Sequence, residues 1–531
     1  MKRWNGWGPE SESYPLPSGA AEFLVDRVGP TSPPSDATLE SVLRQVPTSR
    51  LPAHPIVSAD PEERVRHARG HSMADWIAFR TGHFGAFPDG VAHPRDDASV
   101  RELLDYAKTV GAKVIPYGGG TSVTGHINPI PGEAPVLTIA MDRLADLRAF
   151  DERSHLATFG AGIPGPAIEA TLGSRGFTLG HFPQSFEFST LGGWVATRSS
   201  GQQSAGYGRI EQLFAGGKMQ SPLGEVELPP FPASAAGPDL RELILGSEGR
   251  FGILTEATIR VREQAEQEIF RAVFFRDFEQ GMIAARRIAH ARIPYSMLRL
   301  STAVETETML ALSGHEHLVA ALEFGLSLRG AGKGRCMLVI GFTGRRSAVA
   351  DSTGAAVDIC RKLDGIYIGP LVAEQWIKRR FRSPYLRNTL WDAGYAIDTV
   401  ETATTWDRVP AAVTAIESAI RPTLDHIGEK VHVFTHLSHV YESGSSIYTS
   451  YLFRIVPGAD EMLRRWRIMK EAASKAIVAS GGTISHQHGV GADHAPYLEA
   501  EKGKLGINVI RALAKHWDPS GMMNPGKLIQ D

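Results

Sequence analysis

The sequence predicts an α+β protein of at least two lobes, on three observations. The chain has 531 residues, and one domain usually holds about 100–200. Its first half alternates short apolar strands with helix-period segments and is dense in glycine turns. From about residue 264 a new run of strands separated by helices begins, which predicts a second, α/β lobe with its own sheet.

Composition narrows the class. Lys and Arg number 56 against 58 Asp and Glu, for a net charge of −2, and 42% of residues are apolar. A nucleic-acid binder would show a basic excess or stripe, and a disordered chain would be poorer in apolar residues. Two cysteines, Cys336 and Cys360, are too few for a disulfide framework. No apolar run approaches the ~18 residues that suggest a membrane span. The opening MKRWNGWGPESESYPLPSG has no apolar core, so it reads as neither signal peptide nor anchor. The expected location is cytoplasmic, at most peripheral to a membrane.

The elements follow in order. Residues 1–80 are broken by Pro33-Pro34 and Pro52 to Pro55, with one short helix expected over 38–44. Val91 lies in a short extended piece. Ser99-Val100-Arg101-Glu102 has the form of a capping box. Leu103, Ala107 and Val110 then recur at helical spacing, and Gly111 closes the helix. Lys113-Val114-Ile115 reads as a strand stopped by Pro116. Strands are expected over 136–141, 155–159 and 255–262, with a helix over 166–174. In the second half, strands are expected over 270–275, 336–342 and 446–455, and helices over 278–291, 352–363 and 409–425. A long helix over 460–480 carries Leu463, Trp466, Met469, Ala473 and Ile477 on one face and ends at Gly481-Gly482.

The strongest chemical signal is the run Pro116, Tyr117, Gly118, Gly119, Gly120, Thr121, Ser122, Val123, Thr124, Gly125, directly after a strand. Consecutive glycines let backbone N–H groups converge on an anion. The two hydroxyls add donors, and the chemistry suits a pyrophosphate. It is not a P-loop, because no Gly-Lys-Ser/Thr follows. The alternative is an ordinary glycine-rich turn. Gly160-Ala161-Gly162-Ile163-Pro164-Gly165 matches G-x-G-x-x-G, but Pro164 lacks the N–H that a helix N-terminus should offer there. Two further clusters interleave glycines, hydroxyls and bulky residues. One runs from Pro183 through Gln184, Ser185, Phe186, Glu187, Phe188, Ser189, Thr190 and on to Thr197, Arg198, Ser199, Ser200 and Gly201. The other is Gly246-Ser247-Glu248-Gly249-Arg250-Phe251-Gly252-Ile253-Leu254-Thr255-Glu256. Several such loops imply a long polyphosphate-bearing ligand wrapped by the fold.

Together PYGGGTSV, PQSFEFSTLGGWVATRSSG and GSEGRFGILTEA resemble the FAD-binding domain of the vanillyl-alcohol-oxidase superfamily. Within it the chain resembles the alkyldihydroxyacetonephosphate (alkylglycerone-phosphate) synthase family, from the opening Lys2-Arg3-Trp4-Asn5-Gly6-Trp7-Gly8 to the closing NPGK. The resemblance implies a two-subdomain FAD-binding domain over 85–263 after an N-terminal segment, 1–84. A substrate-binding cap follows over 264–480, and the last segment, 481–531, closes the site and returns to the FAD domain. It implies FAD lined by Pro116 to Ser122, Gln184 to Thr190, Thr197 to Ser200 and Glu248 to Leu254. The implied reaction exchanges the acyl chain of acyl-dihydroxyacetone phosphate for a fatty alcohol, a non-redox use of the flavin.

The resemblance also implies roles in the cap. Arg387 matches a phosphate-contacting arginine, a planar fork suited to phosphate, and Arg299 matches another family arginine. Tyr448 matches an acid/base tyrosine, although a phenol near pKa ~10 is a poor base at neutral pH. His486 and His488 flank Gln487, which stands where the family has the middle of three histidines. Glutamine cannot titrate, though it can orient substrate. His436, with His439, His486 and His488, is of metal-ligating type. Related 2-hydroxyacid dehydrogenases use a second His and a Glu there, where this chain has Tyr448 and Gln487, so no metal is expected.

The leading expectation is thus a FAD enzyme with catalytic Tyr448, His486 and His488 and substrate-binding Arg387, Arg299, Gln487 and His436. Its partners are a phosphorylated lipid-like substrate and a fatty alcohol. A membrane surface and a second copy of the chain are further candidates, and nucleic acid is not one. The alternatives are a FAD-linked dehydrogenase or oxidase of a 2-hydroxyacid or alcohol, and a flavin-binding protein without activity.

Overall fold

A computed structural model describes residues 2–530 apart from 315, 371, 375, 376, 378 and 379. Eighteen strands make three main sheets and one two-stranded ribbon among the described residues. The first sheet combines β1 (Val57–Ser58), β2 (Gly90–Ala92), β3 (Lys113–Tyr117) and β4 (Val136–Ala140) in the order β1-β2-β4-β3. The pairs β2–β4 and β3–β4 run parallel. The helix Asp97–Thr109 buries Val100, Leu103, Leu104 and Ala107 against this sheet. Each buried Leu or Val contributes about 1.5–3 kcal/mol. The capping box lies three residues earlier than Ser99-Glu102: Asp96 caps the helix, and Ser99 supplies the returning side chain. Gly111 takes φ 68° at the end, as expected. Pro116 does not stop its strand, because β3 is an edge strand and can dispense with one ladder donor.

The second sheet is antiparallel. It holds β5 (Leu147–Asp151), β6 (Leu156–Gly160), β8 (Phe214–Ser221), β9 (Gly224–Leu228) and β10 (Ile253–Arg260), ordered β5-β6-β10-β8-β9. The ribbon joins β7 (Phe177–Thr178) to β11 (Arg262–Glu263). The Gly160–Gly165 motif packs protein on protein here. A Cβ on Gly162 would lie 1.7 Å from the Met141 carbonyl, and Phe186 covers Gly165.

The third sheet has seven strands. In chain order they are β12 (Gln267–Phe275), β13 (Met297–Ser301), β14 (Cys336–Gly344), β15 (Ile366–Tyr367), β16 (Tyr395–Thr405), β17 (His432–Val440) and β18 (Gly444–Arg454). The order is β15-β12-β14-β13-β17-β18-β16, antiparallel throughout. This is the expected second lobe with a sheet of its own. Helices Phe278–His290, Arg346–Arg361, Val409–Ile420 and Ala459–Ala479 cover one face in the largest core. In the last of these Met462, rather than Leu463, joins Trp466, Met469, Ala473 and Ile477 in the buried stripe. The other face looks toward the first two sheets. Alternation along each strand therefore sorts Leu437, Ile447 and Tyr451 to the helices, and His436 and Tyr448 to the opposite side.

Candidate active site

Between the lobes lies a cavity of about 1030 Å³. Its floor is the glycine run. Gly118 and Gly119 let this turn press on residues 188–190: a Cβ would lie 2.4 Å from Thr190 Oγ1 at Gly118 and 1.7 Å from the Phe188 carbonyl at Gly119. Gly120 takes φ 74°, open to glycine at little cost. Thr190 caps the helix Leu191–Thr197, and Ser189 accepts from Trp194 Nε1 at 2.8 Å.

Of the residues expected to hold the cofactor, Pro116, Tyr117, Gly118, Gly119, Gly120, Thr121, Ser122, Gln184, Ser185, Ser189, Thr190, Thr197, Ser199, Ser200, Glu248, Gly249, Gly252, Ile253 and Leu254 line the cavity. Six do not. Phe186 stacks on Phe381, and Glu187 accepts from Tyr385 Oη at 3.0 Å. Phe188 turns its ring to Trp7, and Arg198 leaves its helix with φ 52° to meet Glu242. Arg250 donates to the Met523 and Asn524 carbonyls, and Phe251 packs on Trp517. These six are bulky or charged residues interleaved in the loops, and they anchor the loops from behind.

The cap contributes a row of side chains. Ser301 on β13 faces His436 on β17, which faces Tyr448 on β18, which faces Glu401 on β16. The His436 and Tyr448 rings stack at 5.0 Å, and the Tyr448 hydroxyl meets Thr399 Oγ1 at 3.2 Å. Arg299 donates to Glu305 at 2.8 Å, and Glu305 also meets His436 Nδ1 at 2.8 Å. Burial works against that carboxylate, but His436 and Arg299 overcome it and hold it at about 2. Arg387 donates to the His71 carbonyl at 2.5 Å. Its other terminal nitrogen is buried without a hydrogen-bond partner among the described residues, 3.9 Å from Asp398. Burial pushes the Tyr448 phenol up to about 12; the hydrogen bond to Thr399 opposes the rise, Glu401 and Asp398 add to it, and Arg387 acts least, against it. Tyr448 is therefore a protonated phenol at neutral pH rather than a phenolate. Burial also lowers His436 and His488 below the ordinary imidazole value, leaving both neutral.

Tyr448, His488, Arg387, Arg299, Gln487 and His436 all line the cavity. His486 does not. Its Nε2 lies 2.7 Å from both Arg209 Nη1 and Tyr441 Oη. Because arginine can only donate, this nitrogen is occupied as an acceptor.

Two carboxylates fix the last loop, and the first of them, Glu401, carries no signal in the sequence. Glu401 Oε1 accepts from Ser485 Oγ and from the amides of His486, Gln487 and His488, and its Oε2 accepts from the Gln487 amide as well. The Glu248 carboxylate, which was expected at the cofactor, instead accepts from the amides of Val490 and Gly491 and meets His126 at 3.1 Å. Asn524 of the closing NPGK ties the Glu248 carbonyl to that of His126. Trp7 of the opening segment exchanges two hydrogen bonds with Asn388.

The residues present fit FAD. The floor is glycine backbone with the hydroxyls of Thr121, Ser122, Ser189, Ser199 and Ser200. Gln202 Oε1 and Asn524 Oδ1 are buried along it without a hydrogen-bond partner among the described residues. The same cavity has an apolar arm lined by Met309, Leu310, Val319, Leu322, Ile368 and Leu318, the last 71% exposed. No helix among the described residues is long and apolar enough to cross a membrane.

Comparison with known proteins agrees with this geometry. The model of the FAD binding domain matches residues 88–228, and that of the C-terminal domain of FAD linked oxidases matches residues 264–528. The alkyldihydroxyacetonephosphate synthase of Dictyostelium discoideum is 28% identical, over 99% of this chain and 93% of its own. That of Trypanosoma brucei brucei is 26% identical, over 99% and 92%. A solved alkyldihydroxyacetonephosphate synthase superposes with a TM-score of 0.84 at 26% identity, covering 99% of this chain and 98% of the other. A flavin cradle in the first lobe, a polar row in the second and these full-length matches lead to one conclusion: the protein belongs to the FAD-linked oxidase family and is similar over its whole length to the alkyldihydroxyacetonephosphate synthases.

Proposed function

We propose that the protein exchanges the acyl chain of acyl-dihydroxyacetone phosphate for a fatty alcohol, the ether-forming step of ether-lipid synthesis. The observation that carries this reading is the composition of one cavity wall. A glycine cradle, a buried guanidinium with an N–H unpartnered among the described residues, a protonated phenol and an apolar arm all open on the same space. A hydroxyacid alone would leave the arm unfilled.

Bound FAD supplies the reactive isoalloxazine. Arg387 holds the phosphate through charged hydrogen bonds, and its contact with the His71 carbonyl fixes the fork. In the exchange, the bond between the three-carbon unit and the ester oxygen breaks, and the acid leaves as a carboxylate. A bond from the same carbon to the alcohol oxygen forms. Tyr448 donates a hydrogen bond to the departing oxygen, and the neutral imidazole of His488 accepts the alcohol proton. His436, held by Glu305, fixes the ring of Tyr448 by stacking. The apolar arm takes the hydrocarbon chains and keeps water from the reacting carbon.

Arg387→Ala tests the reading. Charged hydrogen bonds are worth about 1.5–3 kcal/mol, so the KM for acyl-dihydroxyacetone phosphate should rise about 10- to 100-fold while flavin stays bound. An unchanged KM contradicts the assignment of the phosphate to Arg387.

A further inference from the structure

The loop that carries Gln487 and His488 is not held by packing alone. Residues 485–488 direct Ser485 Oγ and three consecutive backbone amides at one carboxylate, with distances of 2.7, 3.1, 3.0 and 2.9 Å to Glu401 Oε1. Glu401 is 2% exposed and sits on β16 directly opposite Tyr448. Its oxygens also lie 3.6 Å from His486 Nδ1 and 3.7 Å from His488 Nδ1. One buried charge thus touches the loop backbone, both imidazoles of the loop and the strand position of the phenol.

We infer that Glu401 is a positioning residue of the active site: it suspends the 485–488 loop and holds a negative charge beside His488 and opposite Tyr448 in the sheet. The geometry suits an ionised acceptor: four donors converge on Oε1, and the Gln487 amide also meets Oε2, where a carboxyl proton or an amide NH2 would face that N–H. Burial alone would favour the neutral acid. His488, His486 and the loop amides outweigh it, so the group stays charged far below its ordinary range.

Other charged and titratable groups share this field, and each is fixed. Arg387 and Asp398 face Tyr448 from the helix Ser383–Asp392 and from β16, and His436 stacks on it from β17. Lys470, on the helix Ala459–Ala479, and Asp398 act on His488. His439, Tyr441 and His494 feel Glu401 from β17, from the turn that follows it and from beyond the loop. Arg209 acts on His486 from the first lobe. Glu401 differs from all of them in bonding the loop backbone as well as facing both proton-moving groups.

Glu401→Gln, which keeps the shape and removes the charge, separates positioning from bulk. The activity arm rests on the exchange reaction proposed above, and a second arm does not. In the flavin-loaded enzyme, hydrogen exchange of the 485–488 amides should accelerate at least tenfold in Glu401→Gln, with the rest of β16 unchanged. The alkaline limb of kcat for alkyl exchange should move to lower pH by about one unit, because the phenol loses a neighbouring negative charge. Glu401→Asp should recover part of kcat. Unchanged amide protection, or a kcat–pH profile that superposes on the wild type, overturns the inference. Wild-type protein that performs no exchange refutes the reaction instead, and the amide protection then decides the role of Glu401 by itself.

Discussion

Tyr448 illustrates how a residue's chemistry depends on what surrounds it. An exposed phenol would titrate near 10, but burial drives this one to about 12. It therefore keeps its proton throughout the neutral range and loses it only as pH approaches that value. His488 moves the other way: burial lowers it, so the imidazole is neutral at pH 7 and gains a proton only below its ordinary value of 6.5. Donor and acceptor coexist between those limits. Tyr448→Phe should retain yellow, flavin-bound protein and lose alkyl exchange by about 100-fold or more, the usual scale for losing a hydrogen-bond donor to developing negative charge. Full exchange activity in that variant would reject the role. Tyr448, Arg387 and His488 are expected at the substrate by resemblance and His436 as a neighbouring histidine, and all four line the cavity. The sequence could not separate His486 from His488, two residues apart in one motif. Only the fold brings Arg209, some 280 positions earlier, to occupy the imidazole of His486.

At the scale of elements, the site is made by two kinds of close approach. The first is local in sequence and was readable: the glycine run after β3 forms the floor. Gly119 is its tightest point, since a methyl group there would sit 1.7 Å from the Phe188 carbonyl. Backbone cannot yield as a side-chain tip can, so Gly119→Ala should separate the two loops. The expected result is protein purified largely without flavin, with a lowered Tm, measured by absorbance and thermal melting. Normal flavin content would show that the loops tolerate separation. The second kind of approach is a register. Ser301, His436, Tyr448 and Glu401 share a row only because β13, β17, β18 and β16 pair in that order. No local pattern encodes such pairing, and β16 carries Thr and Glu where an apolar strand signal was sought. Glu401 was therefore invisible, as was the hairpin of β8 and β9. The capping box was misplaced for a simpler reason: Asp96 is as good a cap as Ser99 and comes first.

At the scale of the whole molecule, the two lobes are joined through a few buried polar ties that close the cavity. Glu248 of the first lobe and Glu401 of the second each hold one half of the loop over 485–491. Trp7 and Asn388 join the opening segment to the cap, and Asn524 joins the closing segment to the cradle. The termini thus act as clasps, and the likeness to the synthases extends over them, across 99% of the chain. The apolar arm with Ile368 and the exposed Leu318 belongs to the same cavity as the polar row.

The most direct measurement is incubation of the flavin-loaded protein with acyl-dihydroxyacetone phosphate and labelled fatty alcohol under anaerobic conditions, with the absorbance spectrum followed throughout. The account predicts labelled alkyl-dihydroxyacetone phosphate, one equivalent of free fatty acid, and flavin that is still oxidised at the end. Bleaching of the flavin by substrate without labelled ether product would contradict it.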